Sequence, residues 1–150
     1  MVAWKSLVAT LVLTLALPGP SFAADSVEAV IETARGECRS LENGVLEVQD
    51  GAVTRIDVSG DGEPDAVVDS SKFACSSSAS FFCGTGGCAV TIIVDGKTTD
   101  FLAKGWKVID WNDAPVLLLA VHGNACGGTN LRRCVISYVW SEDAFRSAGS

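Results

Sequence analysis

The chain of 150 residues carries 18 acidic and 11 basic side chains, which gives it a net charge of −7 at neutral pH. Apolar residues make up 48% of it and charged residues only 19%, a balance that excludes an intrinsically disordered chain. The acidic surplus, with no cluster of Lys and Arg, argues against nucleic acid as a partner. The length predicts a single domain.

The N-terminus has the organisation of a secretory signal peptide. Lys5 and the free amine are followed by an apolar run at 7–17, a break at Pro18-Gly19-Pro20, and small residues at Ser21 and Ala23. A membrane anchor is the alternative, but an 11-residue helix reaches about 16 Å, roughly half of a 30 Å hydrocarbon core. We expect cleavage after Ala23.

Cleavage there would leave one exported domain, residues 24–150, with 127 residues and a net charge of −8 because Lys5 is lost. The predicted localisation is periplasmic or secreted, with no membrane attachment after the signal peptide is removed. All six cysteines lie beyond the cut, and an even number in an exported chain predicts a disulfide framework.

Six cysteines permit 15 pairings. Short loops that contain Gly favour Cys83–Cys88 and Cys126–Cys134, which leaves Cys38–Cys75 as the long-range bridge. A zinc site at Cys83-Gly-Thr-Gly-Gly-Cys88 is the alternative. It would need a second closely spaced pair, and Cys126 and Cys134 are too far apart to supply one.

Beyond the signal peptide, the pattern predicts one helix followed by strands. Val27, Val30, Ile31 and Ala34 recur at helical spacing, so we predict a short helix from Ser26 to Arg35. Short apolar runs separated by Gly, Asp, Asn or Ser clusters then predict strands. These are Val45–Val48, Ala52–Asp57, Ala66–Asp69, Ala89–Val94, Thr98–Leu102, Trp106–Asp110, Val116–Val121 and Cys134–Trp140.

The predicted fold class is mainly β: a disulfide-stapled antiparallel domain, meander or sandwich, with a short N-terminal helix. Asp95-Gly96-Lys97 predicts a hairpin between two of the strands. Val116–Val121 is continuously apolar, which predicts a central strand buried on both faces.

Oxygen-bearing side chains alternate along the segment 57–65, which two predicted strands flank. A hard cation such as Ca²⁺ takes about 6–8 oxygen ligands, and alternate residues of a tight loop can deliver them. Gly60 and Gly62 permit the tight winding. The predicted calcium ligands, at loop positions 1, 3, 5, 7 and 9, are Asp57, Ser59, Asp61, Glu63 through its backbone carbonyl, and Asp65.

The segment Thr54-Arg-Ile-Asp-Val-Ser-Gly-Asp-Gly-Glu-Pro-Asp-Ala-Val-Val resembles the calcium-binding β-hairpin loops of FG-GAP repeats of the integrin-α type. In those repeats an Asp-x-Asp/Asn-x-Asp-Gly-x-x-Asp loop joins two strands, and the resemblance implies the same five ligand positions. Ser59 replaces the usual Asp or Asn, and the single copy does not support a propeller. An EF-hand fits less well, because its position 12 is Val68 and not Glu.

More broadly, the chain resembles small exported bacterial proteins in which such a loop is followed by Cys-Gly-x-Gly-Gly-Cys, here Cys83 to Cys88. The alternative for the 57–65 loop is a turn without an ion, its aspartates satisfied by local backbone N–H groups. Three aspartates within nine residues repel each other without a cation, which favours calcium in a structural role.

Other candidate sites are weaker. His122 is the only imidazole, and no Gly-x-Ser-x-Gly elbow accompanies it. A sugar-stacking platform could form from Trp106, Trp111 and Trp140. The pairs Asp110/Asp113 and Glu142/Asp143 could act as glycosidase carboxylates. In each case core packing or a solvated turn is the more common role.

The sequence therefore predicts an exported, non-enzymatic β domain with a structural or interaction role, whose partner would be another exported protein. The runner-up is an acidic proteinaceous inhibitor of a basic secreted hydrolase such as a lysozyme, since the net charge of −8 would steer it onto a cationic target. Its insertion element would be the Cys83–Cys88 or the Cys126–Cys134 loop. A hydrolase that uses His122 or paired acids ranks third.

Overall fold

A computed structural model of the chain describes residues 22–148. Nearly all of the predicted signal peptide therefore lies outside the described residues. The one α-helix found in this part, α1, runs from Phe22 to Ser40, so the predicted cleavage point after Ala23 falls in its first turn. No helix within 22–148 has the length and apolar character needed to cross a membrane.

The predicted helix, Ser26–Arg35, is too short at both ends. Gly36 suggested a stop, because Gly costs about 1 kcal/mol relative to Ala inside a helix. A Cβ placed on Gly36 would meet no other atom within 4 Å, so close packing does not require a glycine at this position. Two residues later the fully buried Cys38 forms a disulfide with Cys75. Tertiary packing thus extends the helix beyond the stop.

All eight predicted strand segments are strands, and three short strands were not predicted. Within residues 22–148 the strands are β1 (Leu46–Val48), β2 (Val53–Ile56), β3 (Asp65–Asp69), β4 (Phe73–Cys75), β5 (Cys83–Gly84), β6 (Gly87–Val94), β7 (Lys97–Ala103), β8 (Gly105–Trp111), β9 (Ala114–Val121), β10 (Cys134–Ser141) and β11 (Ala144–Ser147).

The strands form antiparallel sheets. The middle sheet contains β2, β3, β6 and β7 in that order, and the short β5 also pairs with β6. The outer sheet has the order β11-β10-β9-β8, and β1 pairs with β4 in a separate ribbon. The predicted hairpin is confirmed: Val94 pairs with Lys97 across Asp95 and Gly96, which both have positive φ.

The middle sheet is covered on both faces. Val67 and Ile92 are fully buried against the outer sheet, whereas Ala66, Val68 and Ile93 are fully buried on the side of α1. The fold is therefore a helix packed on a two-sheet sandwich, which confirms the predicted fold class.

The outer sheet is covered on one face only. Leu117 and Leu119 are 1% exposed between the sheets, but Val116, Leu118 and Ala120 point the other way and are only partly buried. The prediction that Val116–Val121 is buried on both faces is wrong, because no described element covers the outer side of β9. The strands buried on both faces are β3 and β6.

The three predicted disulfides, Cys38–Cys75, Cys83–Cys88 and Cys126–Cys134, are all present. The first ties α1 to β4, the second links β5 to β6, and the third closes the loop between β9 and β10. The zinc alternative for Cys83 and Cys88 is therefore wrong. Disulfides of this kind are typical of proteins that mature in an oxidising environment.

Candidate functional site

The 57–65 loop has a buried base and an exposed tip. It joins β2 to β3 at the point where Ile56 pairs with Asp65. The Val58 side chain is 1% exposed and packs into the core between the sheets, and Asp65 is only 7% exposed. Residues 60–64 are exposed. The base therefore fixes where the tip lies.

The tip winds around the Asp57 carboxylate. Its Oδ1 accepts the backbone N–H of Gly60 at 2.6 Å, and its Oδ2 accepts that of Gly62 at 3.0 Å. Both glycines have positive φ, 85° and 90°, which other residues adopt at a cost. The predicted tight winding is thus present, and Gly is the residue that permits it.

The other two aspartates of the loop also accept backbone N–H groups. Asp65 Oδ2 accepts from Val58 at 2.8 Å and from Ser59 at 2.9 Å, and Asp61 Oδ1 accepts from Glu63 at 2.8 Å. These bonds are the ones expected of a Gly/Asp-rich turn. In the part of the chain that the structure describes, no group of three or more His, Cys, Asp or Glu side chains is arranged to hold a metal ion.

A groove of about 490 Å³ separates the loop tip from the β8–β9 hairpin. The two walls come close at one point, because a Cβ at Gly60 would lie 3.1 Å from Pro115 Cδ. The aliphatic floor includes Ile56, Val108 and Ile109. The loop therefore packs against the outer sheet and does not project freely into solvent.

Four carboxylates line this groove, which we call the acidic groove: Asp57 and Asp61 from the loop, and Asp110 and Asp113 from the hairpin. Asp110 Oδ1 accepts the backbone N–H of Asp113 at 3.1 Å, which orders the hairpin turn. No basic side chain from residues 22–148 lines the groove. Among the ion pairs of residues 22–148, none involves any of these four carboxylates. The groove therefore concentrates negative charge that the described residues leave unneutralised.

Sequence reasoning missed this arrangement. The sequence indicated Asp110 and Asp113 only as a possible glycosidase pair, and it indicated the 57–65 loop as a separate calcium site. About fifty residues separate the two segments, and the packing of one sheet on the other brings them together. No local spacing in the sequence signals that contact.

His122 has a structural role in the geometry seen here. Its Nδ1 accepts the backbone N–H of Asn124 at 3.1 Å and so caps a short 3₁₀ helix at Gly123–Cys126. All the cysteines in the described part are in disulfides, so none is a free nucleophile for this imidazole.

The three candidate platform tryptophans do not share a surface. Trp106 packs in the core, where its indole N–H donates to Asp69 Oδ2 at 2.9 Å. Trp140 packs edge-on against Phe145 in the same core. Trp111 is 65% exposed on the far side of the outer sheet. A sugar-stacking platform built from all three is therefore absent.

The Cys126–Cys134 loop, one of the two predicted insertion elements, has a basic tip. Arg132 and Arg133 lie in it, together with Leu131, which is 96% exposed. The loop sits at the end of the outer sheet opposite the acidic groove, because β8 and β10 run in the same direction between these ends.

No model of a known protein family matches the chain, and no curated protein and no solved structure matches it either. A functional proposal therefore has to rest on the chemistry of the described side chains. The acidic groove is the feature with the most distinctive chemistry.

Proposed function

We propose that this protein is an exported, non-enzymatic β domain that binds a calcium ion where the 57–65 loop borders the acidic groove. The observation that carries the proposal is the convergence of four carboxylates from two chain segments on one groove, where the described residues supply no basic partner. A divalent cation held by the loop would offset the repulsion between them. Its role would be structural.

The oxygen donors suit a hard cation. An ionised carboxylate offers about four acceptor positions, so the backbone bonds to Asp61 and Asp65 leave oxygen capacity for a metal. Both bonds to Asp65 fall on Oδ2, which leaves Oδ1 as the oxygen to face an ion. Ser59 Oγ, which lies 3.4 Å from Asp57 Oδ1, and the Glu63 carbonyl complete the proposed ligand set. Ca²⁺ accepts such mixed oxygen ligands in flexible geometry.

Export is part of the same proposal. Its support is the signal-like N-terminus together with three disulfides, which persist in oxidising compartments such as the periplasm or the cell exterior. Extracellular calcium sites commonly bind with dissociation constants of about 10⁻⁴–10⁻³ M, and we expect this range here.

Calorimetric titration of the oxidised protein with CaCl₂ tests the proposal. We expect one site and, at 10 mM calcium, about 1.4–2.7 kcal/mol of added stability, measured as a higher melting temperature than in EDTA. Asp61→Ala should abolish the binding heat, since Asp61 lies at the exposed tip. Asp50→Ala is the matched control: Asp50 is an exposed aspartate at the opposite end of β2.

Two results would contradict calcium binding at this position. One is the absence of both binding heat and melting shift up to 10 mM calcium. The other is an equal loss of binding in the Asp50 and Asp61 variants, which would indicate a diffuse response to net charge. Magnesium serves as a second control, since it demands a stricter octahedral site.

A second candidate function uses the same groove. A Lys or Arg side chain of a basic secreted hydrolase would find there four carboxylates with no ion-pair partner among the described residues. The charge distribution favours the groove over the basic Cys126–Cys134 loop as the contact surface. Capture on immobilised lysozyme should then be salt-sensitive, weakened by Asp61→Ala and unaffected by Arg132→Ala. No capture at low salt would contradict it.

A further inference from the structure

A cavity of about 480 Å³ separates α1 from β6 and β7, on the side of the middle sheet that faces away from the outer sheet. Its lining includes Val30 and Ala34 of α1 and Ala89 and Thr91 of β6. Because these side chains are short, they do not fill the space between helix and sheet. Ligand pockets usually have volumes of about 300–1,000 Å³, so the space is large enough for a small molecule. We call it the helix cavity.

Three phenylalanines form an aromatic wall of the helix cavity. The rings of Phe73 and Phe82 pack edge-on with 5.5 Å between their centroids, and those of Phe81 and Phe82 do so at 4.9 Å. Phe73 is buried, whereas Phe81 and Phe82 are only half-buried. The adjacent Cys83–Cys88 disulfide ties this segment to β6. The wall therefore offers a fixed apolar surface that suits an aromatic group.

The hydroxyl groups that line the helix cavity all donate their hydrogens within the protein. Ser70 Oγ donates to the Ala89 carbonyl at 2.8 Å, and Thr91 Oγ1 donates to Asp100 Oδ1 at 2.5 Å. The third hydroxyl, that of Thr33, donates to a backbone carbonyl of its own helix at 2.9 Å. A hydroxyl has one hydrogen to donate and two lone pairs, so these three groups can only accept from a ligand.

Two carboxylates complete the polar lining. Glu37 belongs to α1, and Asp100 lies on β7 directly opposite Thr91. Both residues are exposed, so they mark the mouth of the helix cavity. Within residues 22–148, no Lys, Arg or His lines the cavity, and no ion pair involves either carboxylate. The polar side chains of the lining are therefore acceptors throughout, and their charge is negative.

We infer that the helix cavity binds a small arylalkyl ammonium ion, that is, a protonated amine on an aromatic body. The aromatic body packs against the phenylalanine wall. The ammonium group, which only donates hydrogen bonds, lies at the mouth near the carboxylates of Glu37 and Asp100. An anion of the same shape is rejected, because it meets like charge and no donor. The inference does not rest on calcium binding, because the helix cavity shares no lining residue with the acidic groove.

Calorimetric titration in EDTA with three probes of matched shape tests the inference. Tryptamine carries the ammonium group, tryptophol replaces it with a neutral hydroxyl, and indole-3-propionate replaces it with a carboxylate. We expect tryptamine to bind at one site with a dissociation constant of about 10⁻⁴ M, which is ordinary for a ligand of this size. Tryptophol should bind about tenfold more weakly, and indole-3-propionate should give no binding heat.

Variants separate the charge of the helix cavity from its space. Asp100→Asn keeps an acceptor for Thr91 but removes the charge, so it should weaken tryptamine binding about tenfold and leave tryptophol binding unchanged. Ala89→Leu fills the space and should weaken the binding of both probes. Glu47→Gln is the matched control, an exposed acid on β1 outside the cavity, and it should change neither affinity.

Circular dichroism checks that each variant is folded. A wild type that gives no heat with tryptamine at millimolar concentrations would overturn the inference, and so would equal affinities for tryptamine and indole-3-propionate. A folded Ala89→Leu variant that binds tryptamine like the wild type would place the ligand elsewhere and contradict the inference. Equal losses in the Asp100 and Glu47 variants would also contradict it, because they would indicate a diffuse response to net charge.

Discussion

The middle sheet and the outer sheet differ in how many of their faces are buried. The middle sheet lies between α1 and the outer sheet, so β3 and β6 bury side chains in both directions. The outer sheet buries only the side chains that face the middle sheet, and its other side keeps a largely apolar surface. The middle sheet is therefore the better buried of the two, while the acidic groove lies between its 57–65 loop and the β8–β9 hairpin of the outer sheet.

The largest effect is expected where a disulfide attaches the helix to the β1–β4 ribbon. Removing the Cys38–Cys75 bridge by replacing both residues with Ala should cost about 4 kcal/mol, because it closes a long loop, whereas removing Cys83–Cys88 should cost about 2 kcal/mol. Urea denaturation of the two double variants measures both costs. Equal losses would show that the long bridge does not hold α1 in place.

Adjacent leucines on β9 compare the two faces of the outer sheet directly. Leu117→Ala should lower the free energy of unfolding by about 3 kcal/mol, because the side chain is fully buried between the sheets. Leu118→Ala, on the side of β9 that no described element covers, should cost less than about 1 kcal/mol. Urea denaturation at low protein concentration checks the pair, and a reversed order would contradict the sidedness of β9.

In the 57–65 loop, a substitution at the buried base should lower the stability more than one at the exposed tip. Asp65→Ala leaves the N–H groups of Val58 and Ser59 without their acceptor, and we expect a loss of about 2 kcal/mol. Asp61→Ala removes one bond at an exposed position and should cost under about 0.5 kcal/mol in EDTA. Thermal melting in EDTA makes the comparison. A large loss in the Asp61 variant would show that the tip is structural without metal.

The two glycines at the tip give the smallest and most local comparison. Gly60→Ala and Gly62→Ala should each cost about 1 kcal/mol for the positive φ. Gly60→Ala should cost a few tenths of a kcal/mol more, because its new Cβ meets Pro115 while that of Gly62 meets open space. Denaturant titration of both variants measures the difference. Equal costs would indicate that the loop does not pack on the hairpin.

Much of the fold could be predicted because its signals are local. The apolar runs of β6 and β9, the Asp95-Gly96 hairpin turn and the short cysteine loops each specify structure over a few residues. The strands that were missed, β4, β5 and β11, are only two to four residues long, and their pairing with neighbours stabilises them more than their own composition does.

The burial of β9 and the acidic groove could not be predicted from such local signals. Leu118 and Leu117 look alike in the sequence, and only the number of layers in the fold decides which of them is covered. Likewise, Asp57 meets Asp110 across a groove because two sheets pack together. The sequence shows the carboxylates but not their convergence.

The most direct test of calcium binding at the groove is a calcium titration followed by ¹H–¹⁵N NMR spectra of the oxidised protein. We predict saturable shifts in the amide signals of Gly60 and Gly62 in the loop and of Asp113 across the groove, while Gly127 and Gly128 in the Cys126–Cys134 loop stay unchanged. Absent shifts up to 10 mM calcium, or small linear shifts at acidic residues over the whole surface, would contradict the proposed site.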